Sequence, residues 1–255
     1  MGVDPQAILE GTLGGRWDWE ELEARAAALV RPPVERRVGI LPVPAPRRRG
    51  APPAPDAAAA ALPPGAEVVE PGGIPAPGLE PAYWAAWARA AGQRALVRGF
   101  PVPAWATWAG AGGGALTDLA ARLRQAGVRE LAPALLQPAH LTLARRLTAA
   151  GLVPAVALPV DGSRPARALA DTLRELAAPG APAWVRLRLE PCRQPGREPP
   201  LALLGRAVLA ARLLLPVAEL AVRAEHLDAD ARWVLNRLGA QAFESLPGGE
   251  GGEPR

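Results

Sequence analysis

Six side chains stand where strand-like segments end and could carry acid–base chemistry: Glu70, Asp161, Glu190, Glu225, His226 and Glu244. Carboxylates and imidazole are groups that move protons in catalysis. Three or four carboxylates gathered on one rim could also bind a divalent cation through oxygen ligands. The plainer reading is that they cap helices and neutralise neighbouring arginines. Gly72-Gly73 follows the strand-like VVEP and would let a ligand approach the backbone closely. AGAGGG (109–114) offers backbone N–H groups ahead of a helix, a geometry that binds phosphate. It lacks the Lys-Ser/Thr of a P-loop and the spacing of a dinucleotide fingerprint, and reads better as a flexible linker. Cys192 has Arg188 and Arg193 nearby, which favour a thiolate. No His is near it in sequence, so a structural thiol is the plainer reading. Trp84, Trp87, Trp105 and Trp108 fall in pairs at i, i+3 spacing, as on a packing face of a helix rather than a stacking platform.

The elements that must position these groups show from residue 66 onward. Strand-like runs AEVVEPGG, RALVRGF, VRELAPALL, LVPAVALPV, PAWVRLRLEP, AELAVRAEH and AQAFESLP alternate with helix-like runs at 79–92, 115–127, 139–151, 163–178, 201–215 and 228–239. Gly92, Gly127, Gly151 and Gly239 stand at helix ends, where a glycine suits the C-terminal stop. Ser163 is placed to cap the helix it opens. One helix between each pair of strands is the βαβ beat of a parallel sheet. With VGILPVP (38–44) the chain holds eight strand candidates, the number a TIM-type barrel needs. A flavodoxin-like or Rossmann sheet uses fewer. The expected fold class is α/β, a TIM-type (β/α)8-like barrel, whole, partial or irregular. Residues 1–30 form an N-terminal segment with an amphipathic helix at 17–30. Residues 31–247 form the barrel, with a Pro/Ala/Arg-rich loop at 46–65, and 248–255 a disordered tail. Active sites of such barrels lie at the C-terminal ends of the strands, which is what selects the six groups above.

Composition bounds the chemistry further. The chain has 255 residues, 49% of them hydrophobic and 21% charged, enough apolar content for a sizeable core. All 29 basic residues are Arg, so no Schiff-base or P-loop lysine is present. The net charge of +4 gives no case for nucleic acid. One Cys and two His exclude an internal disulfide framework, a four-thiolate zinc site and a Cys-ligated iron–sulfur cluster built by this chain alone. The N-terminus lacks a basic start followed by an apolar run. No stretch of 18 apolar residues occurs, and the 201–215 helix contains Arg206 and Arg212, so no membrane span is expected. The expected location is the cytoplasm.

The succession of segments resembles radical SAM enzymes, in the branch of dehypoxanthine futalosine cyclase, aminofutalosine synthase and the deazaflavin cofactor synthases. DWEELEARAAAL looks like the family's leader helix, so that residues 1–30 correspond to it. VVEPGGIPAPGLEPAYWAAW looks like its strand, double glycine, Pro-containing loop and aromatic helix. ALTDLAARLRQAGVRELAP, then LARRLTAAGLVPAVALPVDGSRPARALADTLRELAA, look like its middle helices and strands. The C-terminal AVLAARLLLPVAELAVRAEHLDADARWVLNRLGAQAFES looks like its closing helix, strand, helix and strand. The likeness covers most of residues 17–247.

The departures are specific. The family places C-x-x-x-C-x-x-C after the first strand; here PVPAPRRRGAPP stands there. Gly72 and Gly73 match the double glycine that contacts SAM, but the Glu that often follows is Ile74. Where the family has Gly-His, this chain has Asp161-Gly162. The resemblance therefore implies a barrel without the 4Fe–4S cluster, a non-catalytic or accessory homologue linked to futalosine-pathway menaquinone biosynthesis. It implies no required cofactor, residual SAM or nucleoside-like binding at Gly72 and Gly73, and an intact radical SAM paralogue as partner. Two other readings stay open. One is a barrel enzyme of another class using Glu70, Asp161, Glu190 and Glu225. The other is a scaffold whose Arg47, Arg48 and Arg49 meet an anionic partner.

Overall fold

The structure is a computed structural model of the chain. It describes residues 4–11, 19–29, 32–43, 53–76, 79–110, 116–192, 194–216 and 218–247. In chain order the elements are α1 (Pro5–Glu10), α2 (Trp19–Ala27), β1 (Val34–Leu41), α3 (Ala57–Ala60), β2 (Val68–Pro71), α4 (Pro81–Ala91), β3 (Leu96–Val97), α5 (Val102–Gly110) and α6 (Leu116–Gln125). After a 3-10 turn come α7 (Leu141–Ala149), β4 (Ala155–Val160), α8 (Ala166–Ala177), β5 (Arg186–Pro191), α9 (Leu201–Leu214), β6 (Glu219–Arg223), α10 (Ala229–Arg237) and β7 (Ala242–Ser245). Among the described residues no helix is long and apolar enough to cross a membrane.

The chain divides into two compact units. The first comprises Met1–Glu35, Ala157–Ala181 and Arg186–Glu244. In it β7, β6 and β5 lie side by side, with β4 next to β5. Both β5–β6 and β6–β7 are parallel. Leu187, Leu189, Leu220, Val222 and Phe243 are buried, and α9 packs against β5 and β6 while α1, α2, α8 and α10 pack on α9.

The second unit comprises Arg36–Val156, Pro182–Val185 and Ser245–Arg255. Its strands run β3, β2, β1, again parallel. Its core is aromatic. Trp84, Trp87, Trp105 and Trp108 are all buried, the packing role their spacing predicts. Phe100 lies edge-on to Trp84, with ring centroids 5.2 Å apart, and stacked with Trp87 at 6.0 Å. Trp105 Nε1 donates to the Phe100 carbonyl at 2.9 Å.

Several expectations change. Of the eight strand candidates, VRELAPALL forms no strand; it makes only isolated parallel bridges, Gly99 to Leu131, Glu130 to Val153 and Ala134 to Val156. Pro133 has no N–H to give a ladder, which interrupts pairing mid-run. The helix expected over 163–178 starts at Ala166, with Pro165 rather than Ser163 at its N-cap. Ser163 instead donates both its backbone N–H and its hydroxyl to Asp161. Gly92 ends α4 in the right-handed region, so it is not the left-handed stop expected there, whereas Gly127, Gly151 and Gly239 take positive φ. The helices α1 and α5 have no counterpart among the helix-like runs of the sequence. Residues 44–52, with Arg47, Arg48 and Arg49, lie outside the described residues, as do 111–115 and the tail from 248. In the rest of the 46–65 segment α3 packs on α4, and Tyr83 donates its hydroxyl to the Pro53 carbonyl at 2.9 Å.

Candidate functional site

The sequence of β5, RLRLEP, alternates charged and apolar residues. A strand's side chains alternate between faces, so Leu187 and Leu189 face one way and Arg186, Arg188 and Glu190 the other. Parallel strands buried on both faces ordinarily read as continuous apolar runs; this one carries its charges on a single face. Register extends the pattern. Arg186 stands beside Glu219 and Arg188 beside Ala221; Ala221 stands beside Ala242 and Arg223 beside Glu244. The two alanines leave the middle row open, and Arg188 reaches over them to Glu244 two strands away, Nη1 to Oε2 3.2 Å.

The result is an ion-pair lattice. Arg186 Nε lies 2.6 Å from Glu219 Oε1 and 3.7 Å from Glu244 Oε1. Arg188 Nη2 lies 2.7 Å from Glu190 Oε1. At the end of β6, Arg223 Nε lies 2.9 Å from Glu225 Oε1. Glu244 is 0% exposed, a burial that a carboxylate sustains only when paired.

Asp161, at the end of β4, is held in the same way. It accepts from Arg197 Nη2, and Arg164 Nε stands 3.5 Å away. The Arg197 hydrogen bond, with the Ser163 backbone N–H adding to it, holds the Asp161 carboxyl down at about 2, below its ordinary 3.8. A carboxyl with a depressed folded pKa stabilises the fold above its unfolded pKa, and that contribution is lost as pH falls through the folded value. Wild-type protein should therefore lose stability between about pH 4 and pH 2 more steeply than Asp161→Asn, which has no such proton to take up. Urea titrations across that range check it; parallel curves would contradict it.

In the second unit Glu70 faces Arg98, which follows β3. Arg98 is 0% exposed. Its Nη1 donates to Glu70 Oε1, and its Nε lies 3.1 Å from Glu130 Oε1. The Gly72 N–H is taken by the Leu41 carbonyl at 2.9 Å. A Cβ added at Gly72 would come 2.6 Å from Ile40 Cγ2, whereas one at Gly73 would sit at an ordinary 3.5 Å from Val43. Of the double glycine, Gly72 is thus committed to packing on β1, and Gly73 keeps ordinary room.

A cavity of about 540 Å³ opens in the first unit, at the C-terminal ends of β5 and β6. The segment after β5 lines it with Pro191, Cys192, Glu198 and Pro199, and α9 with Leu201 and Leu204. The β6–α10 connection adds Arg223, Glu225, His226, Leu227 and Asp228. The loop after β4 braces one wall: Gly162 N–H donates to the Arg197 carbonyl at 2.9 Å, and a Cβ on Gly162 would come 2.6 Å from the Glu198 carbonyl oxygen. Of the six expected rim groups, Glu225 and His226 meet here, joined by Cys192. Asp161 stands behind the wall through Arg197, Glu190 and Glu244 belong to the ion-pair lattice, and Glu70 lies in the other unit. Arg98, Glu130, Arg186 and Glu219 were not foreseen as partners; the alternation of RLRLEP is the signal that could have shown part of this.

The donor set decides what metal chemistry fits. Among the described residues no group of three His, Cys, Asp or Glu is placed to hold a metal ion. A radical SAM cluster needs three thiolates, and the chain has one; its residues do not fit that group.

No protein-family model matches the chain, and no curated protein matches it by sequence. Solved structures do match it. The FeFe-hydrogenase maturase HydG from Carboxydothermus hydrogenoformans superposes with a TM-score of 0.58 at 13% identity, over 98% of this chain and 72% of that one. Methylornithine synthase PylB gives 0.58 at 12% identity, over 99% of this chain and 88% of that one. A second structure of HydG, a maturase of the [FeFe]-hydrogenase, gives 0.53 at 11%, over 95% of this chain and 65% of that one. The fold is radical SAM-like. Its class is α/β, a partial TIM-type (β/α) barrel, as the strand rhythm led one to expect.

Proposed function

We propose that the chain is a radical SAM-like barrel protein that works without a cluster, as a non-catalytic, accessory homologue in the futalosine route to menaquinone. One observation carries this: a chain with the radical SAM-like fold holds a single thiol, Cys192, at the end of β5, where three thiolates would be needed. The order of segments over residues 17–247 supports the futalosine branch, and an intact radical SAM paralogue is the partner it suggests. A nucleoside-like ligand would meet the backbone at Gly73 rather than at Gly72, whose N–H is already used. The alternative of a carboxylate-based enzyme has little in its favour, since Glu70, Asp161, Glu190 and Glu225 are each turned to an arginine.

Anaerobic reconstitution with iron and sulfide is the direct test. The expected outcome is no stoichiometric iron and no cysteine-ligated absorbance; about four irons per monomer with such a spectrum would overturn the reading. Affinity capture from the native host addresses the pathway, with an intact radical SAM enzyme of menaquinone synthesis as the expected companion.

A further inference from the structure

The cavity at the ends of β5 and β6 has features the cluster-free reading does not use, and its chemistry is independent of whether a cluster binds. Its volume of about 540 Å³ suits a small organic molecule. Its body is apolar, with Leu201, Leu204 and Leu227 among the walls. Its charge is one-sided. Among the described residues Arg223 is the one arginine lining it, and its Nε lies 2.9 Å from Glu225 Oε1. Two carboxylates remain. Glu198 is exposed and has no ion-pair or side-chain hydrogen-bond partner among the described residues. Asp228 spends one oxygen on capping α10, accepting from the Ala231 N–H at 2.7 Å. A further feature points to an occupant: Arg223 Nη1 is buried and makes no hydrogen bond among the described residues. A buried donor left unmade is costly, and an acceptor on a bound molecule would complete it.

We infer that this cavity binds a small organic cation: an apolar or aromatic body between the leucines, an ammonium toward Glu198 and Asp228, and a carbonyl or similar acceptor toward Arg223. An anion of the same shape meets two carboxylates and is rejected. A neutral isostere keeps the apolar contacts and loses the charge pairing.

Tryptophanamide, N-acetyltryptophanamide and N-acetyltryptophan supply the cationic, neutral and anionic members of one shape series. Their binding is measured by calorimetry and ligand-observed NMR on the full chain at low ionic strength. Tryptophanamide should bind most tightly, the neutral analogue about five-fold more weakly or worse, and the anion least, with the preference shrinking as salt is added. The double variant Glu198→Gln with Asp228→Asn, which keeps a capping side chain at the head of α10, should bring tryptophanamide down to the level of the neutral analogue. Leu204→Trp, which fills the cavity, should abolish binding of all three. Should that variant fail to fold, the carboxamide variant decides alone. Equal or tighter binding of N-acetyltryptophan overturns the assignment. So does tryptophanamide binding that is indifferent to the carboxamide variant, or no binding by any member of the series.

Discussion

Arg98→Ala should destabilise the protein by about 3–5 kcal/mol, the range expected when one partner of a buried ion pair is removed. The guanidinium is fully buried and stands between Glu70 and Glu130. Those carboxylates come from β2 and from the bridge residues that follow α6, so one side chain ties three successive segments. Its removal leaves two negative charges close together in a poorly solvated place, without the guanidinium that answers both. Lysine is a poor substitute, because an ammonium cannot reach both carboxylates as a planar fork does. The penalty comes from orphaned charge rather than from lost attraction. The triple variant Arg98→Met, Glu70→Leu, Glu130→Leu should therefore recover much of the stability that Arg98→Ala loses. Chemical denaturation of wild type, Arg98→Ala and the triple variant checks this. A triple variant as unstable as the single one would show that packing, not charge, sets the cost.

Arg212→Ala should have an effect of similar size, about 3–5 kcal/mol, by a different route. Arg212 lies on α9 and is 1% exposed. It donates to neutral oxygens. Nε and Nη2 donate to the Gly239 carbonyl at 3.2 and 3.1 Å. Nη1 donates to Pro216 and Ala218 carbonyls at 3.0 and 3.1 Å, and Nη2 to Gln241 Oε1 at 2.6 Å. The side chain thus satisfies the carbonyls of the turns before β6 and after α10, which no ladder reaches. Gly239 is part of the arrangement. Its φ of +118° suits glycine, and a Cβ there would stand 2.7 Å from Arg212 Cγ. Arg212→Lys should recover only part of the loss, since three donors on one nitrogen cannot span these acceptors. Denaturation midpoints of Arg212→Ala and Arg212→Lys provide the check; a loss under about 1 kcal/mol for the alanine variant would mean water replaces the guanidinium.

The periodic part of this molecule was readable in its residues. Helix and strand segments repeat with local rules, so β2, α4, α6, α9 and α10 fall where apolar spacing puts them, and the tryptophan pairs sit inside as i, i+3 spacing implies. Pro133 shows the limit within a segment: VRELAPALL is apolar enough for a strand, yet one missing donor reduces it to bridges. The candidate site was readable only as a set of groups. Which groups meet is settled by pairings 28, 32 and 56 positions apart in the chain, Arg98 with Glu70 and Glu130 and Arg188 with Glu244. Local pattern holds no record of such distances. Arg98, Arg186, Arg188 and Arg212 are interior in the fold, which their neighbours in the sequence do not show.

The contact at Gly162 bears on the cavity wall. The backbone after β4 lies against Glu198 with no side chain between them, and the Gly162 N–H is hydrogen-bonded to the Arg197 carbonyl, so the stretch 197–199 is tied to the 161–164 turn. The Asp161–Arg197 pair is a second tie between the two. This wall of the cavity and the turn after β4 are therefore packed as one piece. What shapes that wall is one carboxylate–guanidinium pair and the absence of a methyl group at Gly162, and neither Asp161, Gly162 nor Arg197 lines the cavity itself.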